Sequence, residues 1–170
     1  MMNHRVCVVV GVGPGIGLAV ARRFAREGLR IALLARRKAA LAAYAAELGA
    51  SGAEVHTFAV DVADSAALIQ AFQQIITQVD TPDVLVYNAS AMAQGTPSVL
   101  DTEDLLAAFR VNGAGMCAAG VAADACAAAR HYFANRWWIG VASSARTGWS
   151  RHWQSRVTQS QSQSGGRTGW

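Results

Sequence analysis

The chain has 170 residues, one domain's worth, and its 52% hydrophobic content is ample for a buried core. The net charge of +4 is confined to residues 137–170, where Arg146, Arg151, Arg156 and Arg167 stand without any acid, whereas residues 1–136 carry 10 Arg, 1 Lys and 11 acids and sum to zero. Three classes are disfavoured: a disulfide or metal scaffold, because Cys7, Cys117 and Cys126 are odd in number, lie in apolar surroundings and read as reduced core residues, and the four His show no metal spacing; a membrane protein, because no apolar run reaches the length of a span; and a secreted one, because no cleavage site follows the first apolar run.

Val6-Cys7-Val8-Val9-Val10 is an apolar, β-branched run that predicts a buried strand. It stops at a turn carrying Gly11, Gly13, Gly15 and Gly17, and a helix pattern of Leu18, Ala19, Val20, Ala21 and Phe24 follows, closed by Gly28. Strand, glycine turn and helix open a nucleotide-binding βαβ unit. The glycines let main-chain N–H groups face a pyrophosphate without Cβ clashes, and the helix N-terminus adds its positive end. A tight turn without a ligand is the bland alternative. A second strand, Arg30–Ala35, ends at Arg36-Arg37. An acid there would bind a ribose 2′-OH, whereas Arg accommodates a 2′-phosphate, so the position favours NADP over NAD. The competing reading is that the two Arg simply start the next helix.

Residues 38–49 predict a helix burying Leu41, Tyr44 and Leu48. Residues 54–60 predict a third strand ending at Asp61-Val62, with Asp64 and Ser65 as caps of a helix over 65–79 that buries Leu68, Ile69, Phe72 and Ile76. Pro82-Asp83 opens a fourth strand, Val84–Tyr87, followed by Asn88-Ala89-Ser90. After the loop 91–98, Asp101 begins an acid-led helix with Leu105, Leu106 and Phe109, which runs into Val111-Asn112-Gly113. Residues 114–136 are Ala-rich and helix-competent, with His131 read as a solvated residue near the helix end. Alternating strands and helices predict an α/β fold with a doubly wound parallel sheet.

The spacing Gly11-x-x-x-Gly15-x-Gly17 resembles the fingerprint of the short-chain dehydrogenases/reductases, a Rossmann-fold family. The resemblance covers roughly residues 5–136. It implies an oxidoreductase carrying hydride between NADP(H) and a small carbonyl or alcohol, with a cofactor site at Gly11, Gly13, Gly15, Ile16, Gly17, Arg36, Arg37, Asp61, Val62, Asn88 and Ala89. It further implies that Asp61 meets the adenine amino group, that Asn88-Ala89-Ser90 stands for the family's Asn-Ala-Gly beside the nicotinamide ribose, and that Asn112 holds a water in the proton relay. Ile139–Ser144 looks like the fifth strand, with Ser144 as the hydroxyl that orients the carbonyl.

The family's chemistry also needs a Tyr about a dozen residues after that Ser and a Lys four further on. Neither is present: the only Lys is Lys38 and the last Tyr is Tyr132. All five Trp fall after residue 136, no Leu follows Leu106, and residues 159–166 are Gln/Ser/Gly only. This pattern is what a normal family ending read out of frame would give. The expectation is therefore a Rossmann-type domain over 1–146, incomplete on its C-terminal side, and a low-complexity, disordered tail over 147–170. Such a chain would be cytoplasmic and defective in catalysis, with an uncovered sheet face that favours a homo-oligomer. A non-catalytic nucleotide-binding or interaction module is the alternative. Contact of the Trp/Arg-rich tail with nucleic acid ranks last, and no membrane partner is expected.

Overall fold

The structure is a computed structural model, and it describes residues 5–93, 98–124 and 131–134, the last four by backbone alone. These residues lie in one compact unit, Met1–Trp138. Five strands, β1 (Val6–Val10), β2 (Arg30–Ala35), β3 (Val55–Ala59), β4 (Val84–Tyr87) and β5 (His131–Ala134), form one parallel sheet in the order β3-β2-β1-β4-β5. β1 is central, with Val9 opposite Leu33 of β2 and Val86 of β4.

The continuous apolar run of β1 has a simple cause: both of its faces are covered. Val6, Val8 and Val10 point to one layer, where α3 (Ser65–Gln78) and α5 (Gly115–Asp124) supply Leu68, Phe72, Ile75, Ala119 and Ala123. Cys7 and Val9 point to the other, where α1 (Ile16–Arg26) and α2 (Lys38–Gly49) supply Leu18, Ala21, Leu41 and Leu48. Alternation along a strand flanked by two helix layers defines a doubly wound, Rossmann-type sheet. Burial of each large side chain here is worth about 1.5–3 kcal/mol.

The ends of the elements are set by local hydrogen bonds. Asp64 caps α3 by accepting from the Ala67 N–H at 3.0 Å, and Asp101 caps α4 (Thr102–Phe109) by accepting from the Glu103 N–H. Asp83 fastens the start of β4 to the start of β1: its carboxylate accepts from Val6 N–H, and its own N–H donates to Val6 C=O, each at 2.9 Å.

Several expectations are corrected. α3 buries Leu68, Ala71, Phe72 and Ile75, not Ile69 or Ile76; a true 3.6-residue stripe passes through 68, 72, 75 and 79, and Ile69 lies outside it at 39% exposure. The stretch 114–136 is not one helix. α5 ends at Asp124, and His131–Ala134 is the strand that pairs with β4, so His131 is a strand residue rather than a helix terminus. The strand expected at Ile139–Ser144, the tail and the 1–146 boundary lie outside the described residues. Leu105, Leu106 and Phe109 are exposed, and Ala108 is the buried residue of α4. Cys7 is buried as expected, but Cys117 is exposed; Cys126 is outside the described residues. Finally, α4 and α5 join through a π-helical segment, Arg110–Ala114, into one run, Thr102–Ala123, which is long and apolar enough to cross a membrane, contrary to the expectation that no segment reaches that length. Its Ala119, Ala122 and Ala123 pack into the core beside α3.

Candidate functional site

Strand order reverses direction between β1 and β4, because α3 carries the chain from the β3 edge across the sheet to the far side of β1. The C-terminal ends of β1 and β4 therefore diverge into a crevice, the place where open α/β sheets bind ligands. The glycine turn leaves β1 there and residues 88–91 leave β4 there. A cleft of about 310 Å³ lies along them, lined by Gly11, Val12, Gly13, Arg36, Arg37, Asp61, Val62, Asn88, Ala89 and Ala91 among others. A neighbouring cavity of about 570 Å³ shares Arg36, Asp61, Ala91 and Val111 with it and adds Asp104 and Arg110.

The glycines divide into two kinds. Gly11 has φ +85°, and a Cβ on it would stand 2.3 Å from the Ala89 nitrogen; a Cβ on Gly17 would stand 3.0 Å from the Gly11 carbonyl oxygen and from Val12 Cα. Those two let the turn, the β4 loop and the first turn of α1 pack backbone to backbone. Around Gly13 and Gly15 a Cβ would meet no protein atom within 4 Å. There the turn faces open space of the kind a pyrophosphate would fill. Gly15 is the N-cap of α1 and supplies no side-chain cap, so the helix's unsatisfied N–H end stays directed at that space. At the start of α1 the crowded position is Gly17, not Gly15. Ile16, another expected cofactor residue, is 68% exposed and does not line the cleft.

At the β2 end, Arg36 and Arg37 are exposed at the cleft's edge, and Arg37 is also the N-cap residue of α2. The pair thus both lines the cleft and begins the next helix. Asp61 closes the β3 end: its carboxylate accepts from the Ala63 N–H at 3.0 Å and also lines both cavities.

Asn88 donates from Nδ2 to the Gly11 carbonyl at 2.9 Å, while its own N–H donates to Val10 C=O at 2.8 Å. It ties the two diverging strand ends together. Asn112, in the π segment, makes a paired contact with the Ala91 peptide groups: Oδ1 accepts from Ala91 N–H at 2.9 Å and Nδ2 donates to Ala91 C=O at 2.7 Å. Both carboxamides hold the loop 88–91 in place. Ser144 lies outside the described residues. Sequence reasoning missed Tyr87, read only as the end of a strand. Its hydroxyl donates to Val111 C=O at 2.5 Å, and burial, with the Asp61 charge as a lesser cause, pushes its phenol well above its ordinary range. Among the described residues no cluster of His, Cys, Asp and Glu could hold a metal.

Known proteins share this fold. The profile of the short chain dehydrogenases matches residues 5–126. The chain belongs to the short-chain dehydrogenase/reductase family. A curated relative, the 2,3-dihydro-2,3-dihydroxybenzoate dehydrogenase of Bacillus subtilis (strain 168), is 32% identical over 115 residues, which cover 68% of this chain and 44% of the relative. Among solved structures, the F189W actinorhodin polyketide ketoreductase with NADPH superposes with a TM-score of 0.71 at 28% identity, over 74% of this chain and 48% of that one. An alcohol dehydrogenase from the archaeon Thermococcus sibiricus, complexed with 5-hydroxy-NADP, gives 0.69 at 29% identity, over 73% and 53%. This short-chain dehydrogenase/reductase chain thus spans less than half the length of the curated relatives it matches.

Proposed function

We propose that the chain is the cofactor-binding part of an NADP(H)-dependent oxidoreductase acting on a small carbonyl or alcohol, and that the 170 residues alone do not transfer hydride. The observation that carries the reading is the crevice between β1 and β4, lined by Gly11 and Gly13 of the glycine turn, with Arg36 and Arg37 at the β2 end. The two structural neighbours solved with NADPH or an NADP analogue support the choice of cofactor. When bound, the dinucleotide supplies or accepts the hydride. The chain's own residues then have these roles: the glycine turn and the α1 N-terminus hold the pyrophosphate; Arg36, with Arg37, holds the 2′-phosphate; Asp61 and Val62 meet the adenine; Asn88 and Ala89 border the nicotinamide ribose. Asn112 positions the loop beside it, and Ser144 is the hydroxyl that would orient a carbonyl. General acid/base catalysis contributes about 10²–10⁴-fold, and no Tyr or Lys stands at the spacing that would provide it.

Titration with NADPH followed by its fluorescence, then a panel of carbonyl substrates, tests this. Saturable binding without turnover is the expected result. Turnover of any carbonyl would refute the catalytic defect, and no saturable NADPH binding would refute the cofactor assignment.

A further inference from the structure

The π segment Arg110–Ala114 contains one residue more than a regular helix would use. The Gly115 N–H accordingly bonds to Arg110 C=O, five residues back. In an α-helix that N–H would bond to Val111 C=O, so the bulge releases the Val111 carbonyl in a part-buried place, where it needs a donor. Tyr87, the last residue of β4, supplies one: its hydroxyl donates to Val111 C=O at 2.5 Å. The fit leaves no slack, since a Cβ on Gly115 would stand 2.6 Å from both the Tyr87 hydroxyl and the Val62 carbonyl. The residue after Val111 is Asn112, whose carboxamide grips both peptide groups of Ala91. Ala91 lines the cleft four residues beyond Tyr87.

We infer that Tyr87 is a positioning residue for the cofactor cleft: its hydroxyl pins the bulge at Val111 and so aims the Asn112 carboxamide at Ala91. The chain of contacts is strand end, bulge carbonyl, carboxamide, cleft loop, and each link is a hydrogen bond between named groups. Without the hydroxyl the Val111 carbonyl has reason to return to the α-helical pattern. One residue of register is about 100° of rotation about the helix axis, which would swing Asn112 away from Ala91. Burial keeps the phenol protonated and therefore a donor.

The test uses the full chain with Tyr87→Phe, Asn112→Ala and the double variant, and reads hydrogen exchange at the Ala91 amide. That readout needs no cofactor, so it stands apart from the NADP reading on which only the affinity arm rests. Tyr87→Phe should lower Ala91 protection about three- to tenfold, the scale of one net hydrogen bond, while the sheet amides of Val9 and Leu33 keep their protection. In the double variant Tyr87→Phe should add nothing to the loss caused by Asn112→Ala. If NADPH binds, Tyr87→Phe should raise its Kd by a similar factor. Unchanged Ala91 exchange, a loss shared equally by Val9 and Leu33, or additive effects in the double variant would each overturn the assignment.

Discussion

The four glycines of the first turn carry different burdens, and single substitutions should separate them. At Gly11 a side chain meets the β4 loop backbone at 2.3 Å and the backbone is left-handed, so Gly11→Ala should cost at least about 2 kcal/mol of stability by overpacking and conformational strain together. At Gly13 a Cβ meets no atom within 4 Å beyond its chain neighbours. Gly13→Val should therefore leave the unfolding midpoint nearly unchanged and abolish NADPH binding. A thermal melt beside a cofactor titration reads both, and a Gly13→Val variant with wild-type affinity would remove the pyrophosphate from this turn. At the other end of the cleft, Arg36→Asp should weaken NADPH about ten- to a hundredfold, since a charge-assisted hydrogen bond is worth about 1.5–3 kcal/mol, while NADH affinity stays within a few-fold; equal losses for both would refute the 2′-phosphate assignment. The cysteines differ as sharply. Burial pushes the Cys7 thiol up from 9.0 to about 12, so it should resist alkylation in the folded chain while exposed Cys117 reacts. The sign of the linkage is that of a raised pKa: the contribution of Cys7 is complete below pH 9.0 and is lost as pH rises toward 12, because the unfolded thiol ionises first.

Whole elements answer to their ends. Asp64→Ala removes the side-chain cap of α3 and should cost about 0.5–2 kcal/mol, measurable by urea denaturation, whereas Ser65→Ala, one position inside the helix, should cost far less. The next connection is held by Asp80, which takes an N–H from Thr81 and a guanidinium from Arg30; the Thr81 bond first and Arg30 second hold its carboxyl below the usual range. Its stabilising effect is present above the ordinary carboxylate pKa and fades as pH falls through the lowered one. Most of these elements could be read from the residues. The β1 run, the glycine turn and the cap at Asp64 are local signals, and a parallel sheet follows from their alternation. What escaped are features fixed by distant partners. The buried stripe of α3 is chosen by the sheet beneath it, not by where Ile69 and Ile76 fall. His131–Ala134 becomes a strand because β4 offers it a free edge, although its flanking Ala residues favour helix. At the site, Gly11 and Arg36 were legible from their place after a strand, Asp61 and Asn88 only through the family resemblance, and all four line the cleft. The bond from Tyr87 to Val111 was not legible, because nothing in the spacing announces a π-bulge.

At the scale of the molecule, α4 groups exposed apolar side chains on one helix among the described residues. Leu105 is 50% and Leu106 42% exposed, one turn before Phe109, which is 52% exposed. Neither leucine lines either cavity. Exposed apolar side chains at helical spacing favour burial against another surface, and each half-exposed leucine covered would gain roughly 1 kcal/mol, about half its full burial value. A symmetric contact between two copies would cover four such side chains. We therefore expect the chain to self-associate in a concentration-dependent way through this face, and Leu105→Lys with Leu106→Lys to weaken the association at least tenfold. Lys has a helix propensity close to that of Leu, so α4 itself should persist. Phe109 is better left in place, because its ring packs within about 3.0 Å of where a Cβ on Gly113 would lie and so belongs to the π segment. Sedimentation velocity over a hundredfold range of concentration, with circular dichroism and NADPH titration on the same samples, separates the effects. An unchanged sedimentation profile in the double variant would place the association elsewhere. A loss of NADPH affinity equal to that of Asn112→Ala would mean that this face supports the cleft rather than a second copy.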